Sequence, residues 1–175
     1  MALFLPAILI VVVDQITKYL FWSNGQNYVI IDGFLNITLV KNAGAAFGMF
    51  QGGRAFFIGA SVVAAVLITY LGMKLPREER ARRIWLGLIL GGAVGNLIDR
   101  ARFGEVVDFL QIGFQGHYWP VFNVADIGVT VGASMLILYA LMPHRAGRPT
   151  LADGAAAAPP APAAEVASED ATPHV

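Results

Sequence analysis

Asn123 and Asp126 are the strongly polar residues in the apolar run Val121 to Met142, and their spacing of three puts both on one face of a helix. The same kind of spacing recurs twice. Asp14 and Lys18, four apart, stand inside the apolar run from Leu3 to Trp22, and Asn96, Asp99 and Arg100 cluster at the end of the run that opens at Ile84. Asp108 follows in the β-branched stretch EVVDFLQI. Groups of these types can shuttle protons to and from a water or a peptide bond, relay an ion through a membrane, or brace helices with buried ion pairs. Charge in hydrocarbon is costly, so its concentration toward one end of several runs points to one shared polar site.

Other chemistries find little support. His117, His144 and His174 are isolated and no HExxH motif is present, which argues against a zinc peptidase. The sequence has no cysteine, and so neither a thiolate nucleophile nor a residue for lipid attachment. Ser61 and Ser134 lie in apolar runs with no lysine or histidine at helical spacing, the pattern of packing serines. NAGAAFG lacks the lysine and the strand-to-helix setting of a phosphate loop. Net charge is zero and no basic run is long enough to hold nucleic acid. Neither a metal nor a cofactor is expected.

The elements that must position these groups are membrane spans. With 57% hydrophobic and only 14% charged residues, the chain lacks the polar surface of a water-soluble domain. Four runs approach the roughly 20 residues that a bilayer core requires, at about 3–22, 55–73, 84–100 and 121–142. The expected fold is an all-α membrane protein of four transmembrane helices with a small extracytoplasmic β element. The first run, which has no basic start and carries Asp14 and Lys18, is expected to be retained rather than cleaved as a signal peptide.

YVIIDGFLNITLVKN, broken at Asp32-Gly33, predicts a hairpin on the membrane surface, and EVVDFLQI a further short strand. Cations in KLPREERARR, with Arg145 and Arg148, place both termini in the cytoplasm and the segments 23–54 and 101–120 outside. At about 1.5 Å per residue, Asp126 should then lie roughly 8 Å below the start of its span and Asp14 roughly 12 Å below the outer end of the first. Gly87, Gly91 and Gly95, and Gly128 and Gly132, form small-residue stripes for close helix packing. Residues 1–146 form the expected transmembrane domain, and the Ala/Pro-rich 147–175 an expected disordered cytoplasmic tail.

Five blocks in order, DQITK (Asp14 to Lys18), KNAGAAFG (Lys41 to Gly48), GGAVGNLIDR (Gly91 to Arg100), GEVVDF (Gly104 to Phe109) and FNVAD (Phe122 to Asp126), resemble lipoprotein signal peptidase, also called signal peptidase II. The resemblance runs from Leu3 to about Met142 and implies an intramembrane aspartic endopeptidase of the bacterial cytoplasmic (inner) membrane, active toward the outer leaflet. It implies that Asp108 and Asp126 are the catalytic pair. Two carboxylates a few ångströms apart share one proton, so that one acts as base and the other as acid; which holds the proton stays open.

The same resemblance makes Asn42, Gly44, Asn96, Asp99, Arg100, Asn123 and Ala125 substrate-binding or site-shaping, with Asn96 and Asn123 as preferred substrate contacts. Asp99 and Arg100 read equally as interfacial anchors. Asp14 and Lys18 read as an ion pair giving structural support, and Gly52 and Gly53 as hinges of a flap. Partners implied are diacylglyceryl-prolipoprotein substrates and membrane lipids, with a monomer expected. A small ion-coupled transporter is the competing class, but neither paired halves nor interrupted spans are visible.

Overall fold

The computed structural model describes residues 1–43 and 53–142. Gly44, Gly52 and the stretch 147–175 lie outside them. Among the described residues four helices are long and apolar enough to cross a membrane: α1 (Phe4–Asn24), α2 (Arg54–Lys74), α3 (Arg80–Phe103) and α4 (Val124–Leu141). Four antiparallel strands, β1 (Tyr28–Ile31), β2 (Leu35–Asn42), β3 (Val106–Phe114) and β4 (His117–Tyr118), pair in the order β1-β2-β3-β4.

α3 is the hub, against which each of the other three helices packs. Glycines make this possible. A Cβ at Gly91 would collide with the Ala7 carbonyl oxygen and Ile10 of α1, and one at Gly92 would lie 2.6 Å from Val129 Cγ2 and against the Ala125 carbonyl oxygen of α4. Gly128 and Gly132 return the contact from α4, each facing a backbone carbonyl of α3, at Leu88 and Trp85. Lipid tails are as apolar as the side chains, so it is close backbone approach that holds such helices together. Gly92→Ala should therefore destabilise the fold by about 1–3 kcal/mol through overpacking, whereas Gly59→Ala, with open space around it, should not. Thermal unfolding of both variants in one detergent checks this, and equal midpoints would remove the packing argument.

The helix ends differ from the sequence reading in a way that matters. α3 begins at Arg80 rather than 84 and runs to Phe103, where Gly104, at φ 82°, ends it in a left-handed cap. α4 starts at Val124 rather than 121, because Phe122 bridges to the sheet: Phe122 N donates to the Leu110 carbonyl (2.9 Å), and Phe109 N and Leu110 N donate to the Phe122 carbonyl (3.1 and 2.8 Å). Asp126 consequently sits in the first turn of α4, shallower than the roughly 8 Å expected from a start at 121.

The hairpin is present, turning at Asp32 and Gly33, the latter at φ 70°. The separate strand expected at EVVDFLQI is longer and is joined to that hairpin, pairing β3 with β2 from Leu35↔Ile112 to Asn42↔Val106. Its first four residues, Val106 to Phe109, are all buried, and Phe109 packs against Phe21 of α1 with ring centroids 4.7 Å apart and the rings tilted by 31°. The sheet thus docks on the end of the bundle where α1 and α3 finish and α4 begins.

Candidate active site

Asp108 reaches the site on β3 and Asp126 on the first turn of α4. Both line one cleft of about 1170 Å³, together with Asn42, Asn96 and Arg100. Each acid is held by amides. Asn123, fully buried, caps α4: its Oδ1 accepts from Asp126 N (2.9 Å) while Asp126 Oδ2 accepts from Asn123 N (3.2 Å), a reciprocal capping box. The remaining half of the same side chain turns to the other acid, Asn123 Nδ2 donating to Asp108 Oδ1 at 2.7 Å. One asparagine therefore fixes both carboxyl groups.

The second oxygen of each acid is also taken. Asn42 Nδ2 donates to Asp108 Oδ2 (3.1 Å); the register makes this a diagonal pair, since Asp108 faces Val40 and Asn42 lies two residues on, on the same side of the sheet. Asn96 Nδ2 donates to Asp126 Oδ1 (2.8 Å). Burial, opposed by the hydrogen bond from Asn42 and reinforced by the charge of Asp126, raises the Asp108 carboxyl from its ordinary 3.8 to about 6. The pair is thereby biased toward holding a proton.

Asn96 and Asn123, the expected substrate contacts, also bond within the site, and of the two Asn96 lines the cleft. Asn123 is buried and its amide is committed to the two acids, to Asn96 Oδ1 (3.1 Å) and to the Val107 carbonyl (3.4 Å). Asn96 Oδ1 accepts from Lys18 Nζ as well (3.1 Å). Both act here as braces. Arg100 lines the cleft with its guanidinium 5.1 Å from the Phe57 ring centroid and interacts with the charges of Asp126 and Asp108. That arrangement fits site-shaping better than anchoring at an interface. Gly53, one of the two expected hinges, is the residue preceding α2.

Behind the cleft lies a buried ionic cluster. Lys18 Nζ is 2.8 Å from Asp14 Oδ2 and 2.8 Å from Asp99 Oδ2, with the three side chains 4% exposed or less. Asp14 Oδ1 accepts from Ala125 N (2.9 Å), serving one of the orphan donors of α4's first turn from another helix. Asp99 Oδ2 accepts from Val107 N (3.1 Å), next to Asp108. So the cluster pins both elements that carry the acids. Ala125 is fully buried, and its Cβ faces Gly95.

Sequence reasoning passed over Gln15, whose Nε2 donates to Asp99 Oδ1 (2.9 Å), Asp14 Oδ2 (3.2 Å) and the Gly95 carbonyl (3.3 Å). The available signal was a further polar side chain in an apolar run, three residues before Lys18. No group of three or more potential ligands is placed to hold a metal among the described residues.

Four membrane-length helices and a docked sheet enclosing a paired-carboxylate cleft define a polytopic membrane protein with a site equipped for proton transfer. The family model for Signal peptidase (SPase) II matches residues 6–142. A lipoprotein signal peptidase of Symbiobacterium thermophilum is 44% identical over 144 residues, covering 81% of this chain and 95% of that protein. One from Moorella thermoacetica is 40% identical over 146 residues, covering 82% and 95%. A solved structure described as a bacterial membrane enzyme, obtained by the in meso method at 2.3 Å resolution, aligns with a TM-score of 0.74 at 35% identity, over 78% of this chain and 85% of that one. The chain belongs to the signal peptidase II family, a family of membrane proteases.

Proposed function

We propose that this protein is an intramembrane aspartic endopeptidase that removes the signal peptide from diacylglyceryl-modified bacterial prolipoproteins, cutting on the amino side of the lipidated cysteine. The observation that carries the reading is the sharing of Asn123 between Asp108 and Asp126 in one cleft, in a chain of this family. The ionised acid of the pair takes a proton from a water, which attacks the scissile carbonyl. The protonated acid hydrogen-bonds the developing oxyanion and then delivers a proton to the leaving amine. Every proton the reaction moves is covered by the two acids and the water, and no covalent intermediate is needed.

The remaining assignments follow from membrane geometry. The basic connection Lys74 to Arg83 is cytoplasmic, so the cleft, at the other end of α3, faces the outer leaflet of the cytoplasmic membrane. A signal peptide with its basic end inside and its apolar part across the bilayer presents its cleavage point there. Arg100 and Glu105, at the cleft wall with Asn42 and Asn96, are further polar groups we assign to the extended peptide backbone, which has no other partner in lipid.

The test is to incubate the purified full chain with matched precursors that carry or lack the diacylglyceryl group. Cleavage of the lipidated precursor only, with the amino terminus of the product at the modified cysteine, is expected. Equal turnover of both forms would reject the substrate assignment, and proton-coupled flux in liposomes with neither precursor cut would favour a transporter.

A further inference from the structure

A second cavity, about 700 Å³ in volume, shares no lining residue with the cleft. α1 and α2 both pack along α3 and close on each other where Leu3 packs against Gly72. Beside that contact a groove opens between them, walled by Ile8 and Val12 of α1 and Val66, Tyr70 and Met73 of α2, and floored by Gly91 of α3. No charged side chain lines it.

In a bilayer such a groove fills with hydrocarbon, because an empty one forfeits the dispersion contacts of its walls. From Val66 to Met73 it extends about 10 Å along α2. That is less than the roughly 15 Å half-thickness of a hydrocarbon core, a length suited to the chains of one leaflet. At the same end of the molecule the chemistry changes sign. Lys74 follows Met73 directly and holds its Nζ 5.6 Å from the centroid of Tyr70, itself a groove wall. Arg83 lies beside it, its Nε donating to the Gly72 carbonyl at 3.2 Å.

Between residues 74 and 83 there are five cations, Lys74, Arg77, Arg80, Arg82 and Arg83, against two acids, Glu78 and Glu79. Glu79 is already paired with Arg82. An apolar slot ending under an excess of positive charge matches an amphiphile with a negative head and hydrocarbon tails. A transmembrane helix filling the same slot brings no negative group to Lys74 of itself.

We propose that this groove is a binding site for an anionic glycerophospholipid, its acyl chains lying between α1 and α2 and its phosphate at Lys74. The site stands independently of the peptidase reading. Its test is native mass spectrometry of the full chain in neutral detergent, titrated with phosphatidylglycerol and with phosphatidylcholine of the same acyl chains.

Wild-type protein should retain phosphatidylglycerol about fivefold or more in preference to phosphatidylcholine, and Lys74→Glu should abolish that preference. Val66→Trp, which fills the slot, should lower retention of both lipids severalfold, while Leu67→Trp, outside the groove lining, should not. Equal retention of the two lipids by the wild type, or a preference that survives Lys74→Glu, overturns the proposal. Loss of preference in Lys74→Glu with normal retention in Val66→Trp overturns the groove and leaves only a basic surface. If Val66→Trp does not fold, Ile8→Trp, at the opposite wall of the groove, takes its place with the same expected loss.

Discussion

Asp108→Asn and Asp126→Asn should each lower cleavage of a lipid-modified precursor by about 10³- to 10⁴-fold, the upper part of the range for acid–base catalysis, because the proposed mechanism needs one acid to receive a proton and the other to supply it, and an amide does neither. The fold should survive, and in one variant it should gain. Asp108 is buried, with its carboxyl raised to about 6. Such a group contributes stability that is fully present below its unfolded value near 3.8 and is lost as pH rises through about 6. At pH 7.5 the wild type therefore carries a penalty of up to about 3 kcal/mol that asparagine avoids, less what the Asn42 hydrogen bond loses in the exchange. Thermal unfolding of wild type and Asp108→Asn at pH 4 and pH 7.5 in one detergent should show the variant gaining on the wild type as pH rises. Parallel behaviour would mean that the carboxyl is not strained by burial, and retained turnover in both variants would sink the catalytic pair altogether.

The cost of burying a carboxylate explains why one of the two acids could be found in the sequence from local rules while the other could not. Asp126 stands out in an apolar run because hydrocarbon makes a carboxylate expensive, and Asn123 lies one turn away. The spans, the glycine stripes and the hairpin at Asp32-Gly33 follow from the same local rules of hydropathy, size and turn chemistry. Asp108 is different. In EVVDFLQI it looks like any acid in a short strand, and only the blocks resembling signal peptidase II single it out. What places it beside Asp126 is the pairing of β3 with β2 and with Phe122, contacts between segments far apart in sequence that no local pattern encodes. The misplaced start of α4 has the same origin. Val121 and Phe122 are apolar enough for a span, yet the β3 backbone offers Phe122 partners, and Asn123 can cap the helix only if it begins at the next residue. The bonds of Asn96 and Asn123 to the acids were not legible either, because residue type tells that an amide can bond, not to what.

Lys18→Met should be the most destabilising single change at the polar end of the bundle. Lys18 forms ion pairs with both Asp14 and Asp99, and removing it leaves two carboxylates in a space closed to water. Breaking a buried ion pair in this way costs about 3–5 kcal/mol. The remaining bonds, from Ala125 N and Gln15 to Asp14 and from Val107 N and Gln15 to Asp99, are too few to offset an unbalanced charge. Chemistry should be weakened and still detectable, because Asn96 keeps its bond to Asp126 and Asn123 still holds both acids. The charge account can be separated from simple loss of packing. Adding Asp14→Asn and Asp99→Asn to Lys18→Met removes the uncompensated charge while preserving shape, so the triple variant should recover much of the lost thermal midpoint. A Lys18→Met protein that unfolds with the wild type, or a triple variant no more stable than the single one, would show that the cluster is not held by its charges.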